Sequence, residues 1–213
     1  MIRSIQNFLH LFPSYCISFR DAAYFIGRWL ITPLSFIERL LPKEGTIVDI
    51  GCGEGMLANL IAIGSSRRRV IGFDLDKKRI AVAEEAAKKR ITNVKFSVSD
   101  ALNYNFDGIT GVTLIDVLHH IPDPKKQEKI IRIISDKSNK GTMLIVREPC
   151  FNQVLKGRFT YLVDKLLYRG DIINFRKAEE WKILLEGNNF SVTIYNTNRL
   201  SPISSYVFVA QKQ

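Results

Sequence analysis

The chain has 213 residues, 46% of them hydrophobic, and a formal net charge of +10. That length and apolar content suit one sizeable buried core with a small appendage, and the basic balance suits either anionic partners such as lipid headgroups, nucleic acid or an acidic substrate, or simply a basic solvated surface. The cysteines Cys16, Cys52 and Cys150 are odd in number and form no C-x-x-C, which argues against a disulfide framework and against a zinc site; no metal is expected, and a reducing cytosol fits best.

Residues 1–20 are aromatic and apolar without a clear period: Phe8, Leu9, Leu11, Phe12, Tyr15 and Phe19. They suit a lid over an active site or a segment lying on a membrane. The uncharged run from Ser4 to Phe19 is broken by Gln6, Asn7 and Pro13 and is shorter than the ~20 apolar residues of a membrane span. No small-x-small cleavage site follows it, so a secretory signal is not expected either. From Asp21 to Leu41 the residues Ala22, Phe25, Ile26, Trp29, Leu34, Ile37 and Leu41 recur at helical steps, and Pro33 should kink or split that helix. Residues 1–41 are read as an N-terminal helical lid segment and residues 42–213 as the main domain.

After the turn Pro42-Lys43-Glu44-Gly45, the apolar run Thr46 to Ile50 reads as a strand. It ends in Gly51-Cys52-Gly53-Glu54-Gly55 and passes into a helix from Gly55 to about Ser65. Such a strand, glycine turn and helix aims a helix N-terminus at a ligand over the loop. A dinucleotide turn requires G-x-G-x-x-G, but here the third glycine comes one place early and Met56 stands where it belongs. Asp49, two residues before Gly51, would repel a pyrophosphate and suits a ligand with positive charge and no phosphate. S-adenosylmethionine, with its ammonium and sulfonium, is such a ligand. Asp49, Gly51, Gly53 and Gly55 fill the pattern D-x-G-x-G-x-G, and at this point the chain resembles motif I of the class I S-adenosylmethionine-dependent methyltransferases.

Arg67-Arg68-Arg69 reads as a basic connection. Val70 to Asp74 is a second buried strand, and its terminal acid lies 23 residues after Gly51, close to the ~20-residue spacing at which an acid meets a ribose diol. Asp76 should cap a helix from Lys77 to Arg90. Asn93 to Ser99 alternates as a strand and ends in Asp100-Ala101. The resemblance implies that Asp100 accepts the adenine amino group, and that Gly51, Cys52, Gly53, Asp74, Leu75, Ala101 and Asp116 join Asp49 around the cofactor.

Gly111 to Asp116 is the fourth strand, followed by Val117-Leu118-His119-His120-Ile121-Pro122-Asp123-Pro124. Asp123 then Pro124 is a helix start. The Leu-His-His-x-x-Asp run resembles small-molecule methyltransferases of the menaquinone and ubiquinone C-methyltransferase type. His119 and His120 are the catalytic candidates, because a neutral imidazole is a natural proton acceptor near neutrality; a structural histidine bound to a carbonyl is the alternative. Asp116 could hold the cofactor amino group or orient a histidine. Methyltransferases of nucleobase amino groups carry Asp/Asn-Pro-Pro-Tyr/Phe here to bind a flipped base, and Asp116-Val117-Leu118-His119 argues against that use. Gly141 to Val146 is a fifth strand. Residues 150–175 exceed a plain connection, and an aromatic-faced helix ending at Arg169-Gly170 is expected there; the resemblance implies a substrate cap. A helix from Lys177 to Glu186 stops at Gly187, and Ser191 to Thr197 and Ser205 to Ala210 read as closing antiparallel strands.

The expected fold is an α/β three-layer sandwich around a seven-stranded, mostly parallel, Rossmann-like sheet, for which the resemblance implies the strand order 3-2-1-4-5-7-6. The expected function is methyl transfer from S-adenosyl-L-methionine to a small, apolar or amphiphilic acceptor, in a cytoplasmic protein that could associate peripherally with a membrane surface. The alternatives are an RNA or protein methyltransferase using the basic surface, or a catalytically silent cofactor-binding module.

Overall fold

The strands follow the β-branched apolar runs. In the computed structural model, which describes residues 2–15, 19–88, 91–167, 172–197 and 203–213, they are Gly45–Ile50 (β1), Arg68–Asp74 (β2), Val94–Val98 (β3), Ile109–Ile115 (β4), Met143–Pro149 (β5), Phe190–Asn196 (β6) and Ser205–Lys212 (β7). They form one seven-stranded sheet in the order β3-β2-β1-β4-β5-β7-β6. The β1–β2, β2–β3 and β4–β5 pairs are parallel, and β7 runs antiparallel to both β5 and β6. Parallel neighbours need crossover connections, which the helices supply. The expected sheet type and order are both present. The chain divides into two compact units, residues 1–100 and 101–213.

In the first unit the helices are Ile2–Tyr15 (α1), Phe19–Ile31 (α2), Leu34–Leu40 (α3), Met56–Gly64 (α4) and Lys77–Ala87 (α5). Contrary to expectation, the helix α1 does carry a helical period: Ile5, Phe8, Phe12 and Tyr15 recur at three- and four-residue steps, with Gln6, Asn7 and His10 opposite. The apolar face is broad, so Leu11 and Tyr15 are buried while Ile5 and Leu9 at its edge are exposed. Its aromatic face packs on α2: the Phe8 and Trp29 ring centroids are 5.4 Å apart and those of Tyr15 and Phe25 are 5.2 Å apart. Pro33 splits the next helical stretch as expected, ending α2 at Ile31 and starting α3 at Leu34. Asp76 caps α5 by accepting the Lys78 N–H at 2.8 Å. That helix stops at Ala87, and residues 89–90 lie outside the described residues.

Of the basic connection Arg67-Arg68-Arg69, Arg68 and Arg69 belong to β2. Arg68 opens β2 with its side chain fully buried, donates to Glu38 Oε1 at 2.7 Å, and donates to the carbonyls of Pro42, Ile61, Glu38 and Leu41 at 2.6, 2.9, 3.0 and 3.1 Å. One guanidinium thus joins the end of α3, the following turn and α4 to the sheet, with its fork of donors matched by acceptors. Burial alone would raise the Glu38 carboxyl, but the bonds from Lys43 and Arg68 outweigh it and hold the carboxyl below its ordinary range. Close packing continues at β3. A Cβ at Gly72 would meet the Phe96 ring at 2.7 Å, and one at Gly55 would meet the same ring and Ala83 at 2.7 Å.

In the second unit the helices are Pro124–Lys137 (α6), Val154–Leu167 (α7) and Ala178–Glu186 (α8). Asp123 caps α6 by accepting the Lys125 N–H at 2.9 Å, with Pro124 at the first helical position. The strand β5 ends in Arg147-Glu148-Pro149, and all three are buried strand residues. The helix expected in residues 150–175 is α7, and its expected stop at Arg169-Gly170 lies outside the described residues. Among the described residues no helix is long and apolar enough to cross a membrane.

Candidate functional site

In the first unit, the loop after β1 turns through Gly51, Gly53 and Gly55 with φ of 64°, 55° and 76°. These left-handed values favour glycine. At Gly53 an added Cβ would find only Arg79 Nη1, 3.7 Å away, so the space over that peptide is open to a ligand. Asp49, the penultimate residue of β1, is a buried carboxylate. Asp74, the last residue of β2, accepts the Gly53 N–H at 2.9 Å with one oxygen and the Asp76 N–H at 2.9 Å with the other. The predicted loop and the predicted acid are therefore joined directly. Leu75, next to Asp74, is exposed. The Ser99 N–H donates to the Asp74 carbonyl at 3.2 Å, which sets Asp100 beside this strand end.

Cys52 donates its N–H to Phe73 O at 3.0 Å. Burial, reinforced by Asp49 and Asp74, pushes its thiol well above the ordinary range. It is a neutral packing group in the loop, since only a thiolate acts as a nucleophile. Tyr15 at the end of α1 also reaches this region, and sequence reasoning missed its role. Asn59 Nδ2 donates to Tyr15 Oη at 2.6 Å. Burial pushes the phenol upward, and Glu54, Cys52 and Asp49 are close enough to add to the shift. The N-terminal helix therefore ends against the glycine loop.

In the second unit, Ala101 is buried and opens a short 3-10 turn, Ala101–Asn103. Asp116 follows β4 with φ of 58°, a left-handed value that asparagine and aspartate tolerate better than most residues. One oxygen of its carboxylate pairs with the Arg147 guanidinium, and its N–H donates to Arg147 O at 2.8 Å. Arg147 Nη2 also donates to Ser205 Oγ at 3.0 Å. His119 and His120 lie on a second 3-10 turn, Leu118–His120, with ring centroids 4.0 Å apart. His119 is 1% exposed and its Nδ1 lies 2.6 Å from Glu148 Oε2. Glu148 Oε1 accepts the N–H groups of Val117 at 3.0 Å and Leu118 at 2.8 Å, and Oε2 accepts that of His119 at 3.3 Å. One buried carboxylate thus holds both the turn and the ring. The His119 ring meets Phe175 edge-on at 5.5 Å, and Phe175 meets Phe151 at 5.4 Å. Glu148 was legible only as an acid closing an apolar run before Pro149.

The donor set fits S-adenosylmethionine. Two carboxylates flank a loop with open space over Gly53, and together they suit a cationic ligand carrying a diol and no phosphate.

Comparison with known proteins agrees. The chain is 30% identical over 105 residues to a ubiquinone biosynthesis O-methyltransferase of Coxiella burnetii, covering 47% of this chain and 44% of that protein. It is 28% identical over 111 residues to a ribosomal protein L11 methyltransferase of Thermotoga maritima, covering 52% of this chain and 39% of that one. The chain thus matches less than half the length of these curated relatives. The magnesium protoporphyrin IX methyltransferase of Synechocystis, solved with SAH bound, shares the fold with a TM-score of 0.70 at 17% identity, covering 99% of this chain and 95% of that one. Residues 20–194, most of the chain, match the family model of the methyltransferase domain, and the protein belongs to that family, with S-adenosylmethionine as the cofactor its loop is built to take.

Proposed function

We propose that this protein transfers the methyl group of S-adenosylmethionine to a small, apolar or amphiphilic acceptor, and that residues 150–175 and the N-terminal segment, residues 1–41, cover the substrate side. The observation that carries the acceptor class is the buried His119–Glu148 pair set among Phe175 and Phe151. An imidazole held by a carboxylate in an aromatic setting suits proton removal from a phenol, alcohol or carbon acid of low polarity.

When bound, the cofactor supplies an already activated methyl group, so the protein's part is to position and to exclude water. Asp74 would accept hydrogen bonds from the ribose hydroxyls, Asp49 would offset the positive charge of the methionyl end, and Gly51, Cys52 and Gly53 would hold that end through their backbone. Asp100 would accept a hydrogen bond from the adenine amino group, with Leu75 and Ala101 as the apolar contacts of the base. Glu148 accepts the Nδ1 proton of His119 and leaves Nε2 as the basic nitrogen. His120, tilted against that ring and less buried, is the second candidate to take the acceptor's proton. Asp116, with one oxygen paired to Arg147, would hold the cofactor amino group directly or through water, or orient a histidine.

Calorimetry with S-adenosylhomocysteine tests the cofactor half. Asp74→Ala should weaken binding by about 1–3 kcal/mol, from the loss of charge-assisted hydrogen bonds; an unchanged Kd removes the ribose role. His119→Ala or His120→Ala should lower the methylation rate while leaving that Kd in place, and a matching loss of both would make the histidine structural. The likeness to ribosomal protein L11 methyltransferases and the +10 charge favour a second reading, a protein or RNA acceptor. A nucleic-acid complex with steep salt dependence, or methyl incorporation into ribosomal protein, would move the assignment there.

A further inference from the structure

The helix α7 has two faces in different surroundings. On the inner face, Gly157 and Thr160 are buried. A Cβ at Gly157 would meet the Phe151 ring at 2.9 Å, and Thr160 Oγ1 accepts the Ser204 N–H at 3.0 Å. On the outer face, Leu155, Phe159, Leu162 and Leu166 are 83%, 48%, 66% and 68% exposed. Steps of four, three and four residues, at ~100° per residue, keep these four within about 60° of one another, in one stripe along the helix. Arg158 and Lys165 border the stripe on one side and Lys156 on the other, and the helix carries these three basic residues against one acid. A run of large apolar side chains left in water marks an interaction surface.

The charges decide among occupants. Two copies joined stripe to stripe would bring Arg158, Lys156 and Lys165 against their equivalents, in a chain already at +10. A nucleic acid would satisfy the cations and leave the leucines in water. An anionic bilayer surface satisfies both, because its acyl boundary receives Leu and Phe while its headgroups receive Lys and Arg. We propose that α7 docks this protein onto an anionic lipid surface, with Leu155, Phe159, Leu162 and Leu166 entering the acyl boundary and Lys156, Arg158 and Lys165 meeting headgroups. This deepens the proposed function, on which it rests only in one consequence: an amphiphilic acceptor would be met where it is dissolved.

The test is sedimentation of the full chain with vesicles of phosphatidylcholine alone and of phosphatidylcholine with phosphatidylglycerol. The chain should pellet with the anionic vesicles far more than with the neutral ones, and less as salt is raised. The double substitution Leu155→Glu, Leu162→Glu should lower the bound fraction about tenfold or more, and Arg158→Glu should lower it several-fold on anionic vesicles alone. These side chains are exposed, so the affinity for S-adenosylhomocysteine should not move, which separates a failure of docking from a failure of the methyltransferase reading. A wild-type chain that stays in solution with both vesicle types overturns the proposal, as does a double variant that pellets like wild type. A dimer in sedimentation velocity that the same double substitution dissociates also overturns it, since a second copy then covers the stripe.

Discussion

Removing the Glu148 carboxylate tests the construction of the histidine turn most directly. Its oxygens accept peptide N–H groups at 3.0, 2.8 and 3.3 Å and lie 2.6 Å from His119 Nδ1. Glu148→Ala strands these donors, and both Glu148 and His119 are buried. A buried donor without a partner costs about 1–3 kcal/mol. The 3.3 Å contact is long and contributes little, so two good peptide bonds and the imidazole bond set the scale. Water entering the space left by the side chain recovers part of the loss, and the net expectation is about 3–5 kcal/mol. Glu148→Gln keeps an oxygen for Val117 and Leu118 but turns an amide NH2 toward His119, whose Nδ1 must then accept, and it loses charge assistance, which together should cost about 2–3 kcal/mol. Urea unfolding followed by circular dichroism measures both, with the slope unchanged if the native state keeps its compactness. An alanine variant within about 1 kcal/mol of wild type would show that the carboxylate does not hold the turn. Equal losses for alanine and glutamine would show that charge alone matters.

Two further outcomes follow from the first unit. Arg68→Met should destabilise by about 3–5 kcal/mol in the same urea assay, because it leaves Glu38 and four carbonyls facing an apolar side chain; a loss below about 1 kcal/mol would mean that the guanidinium is not the staple. The Glu38 carboxyl is held below its ordinary value of 4.5 in the folded chain. Its contribution is therefore fully present above that value and is lost as pH falls through the lower folded value. Glu38→Gln should flatten the acid limb of the stability profile, and an unchanged limb would assign acid unfolding to other carboxylates.

What could be read from the chain and what could not divides by sequence separation. Motif I, the acid closing β2 and the Asp123–Pro124 helix start are local patterns, written in adjacent residues by backbone requirements. The sheet order came from resemblance, since periodicity alone does not say which strands are neighbours. The pairs that hold the site are a different matter: His119–Glu148, Asp116–Arg147 and Glu38–Arg68 join residues 29, 31 and 30 positions apart. Periodicity carries no record of such partners, and Arg68 accordingly reads as one member of a basic connection. The first helix is a local pattern as well: Ile5, Phe8, Phe12 and Tyr15 recur at helical steps opposite Gln6, Asn7 and His10, and the breadth of that apolar face, which runs on to Leu9 and Leu11, is what obscures the period.

The ring of Phe96 has a consequence for how this family member can drift. It fills the places where a Cβ on Gly72 and a Cβ on Gly55 would stand. Gly72 lies inside β2 and is absent from the positive-φ glycines, so sterics alone forbid a side chain there. The two positions are therefore linked as a mutational unit. Gly72→Ala should be damaging by itself and less so in a Phe96→Leu background, where Cys52 Sγ, 3.1 Å from the added Cβ, is the remaining close contact, giving a coupling energy of about 1–2 kcal/mol in a double-mutant cycle. Gly55, at φ of 76°, has no such escape. Divergent chains can exchange the glycine of β2 for alanine when the aromatic of β3 shrinks, but they must keep the loop glycine. The history of the cofactor loop is in that sense tied to an edge strand that never touches it in sequence.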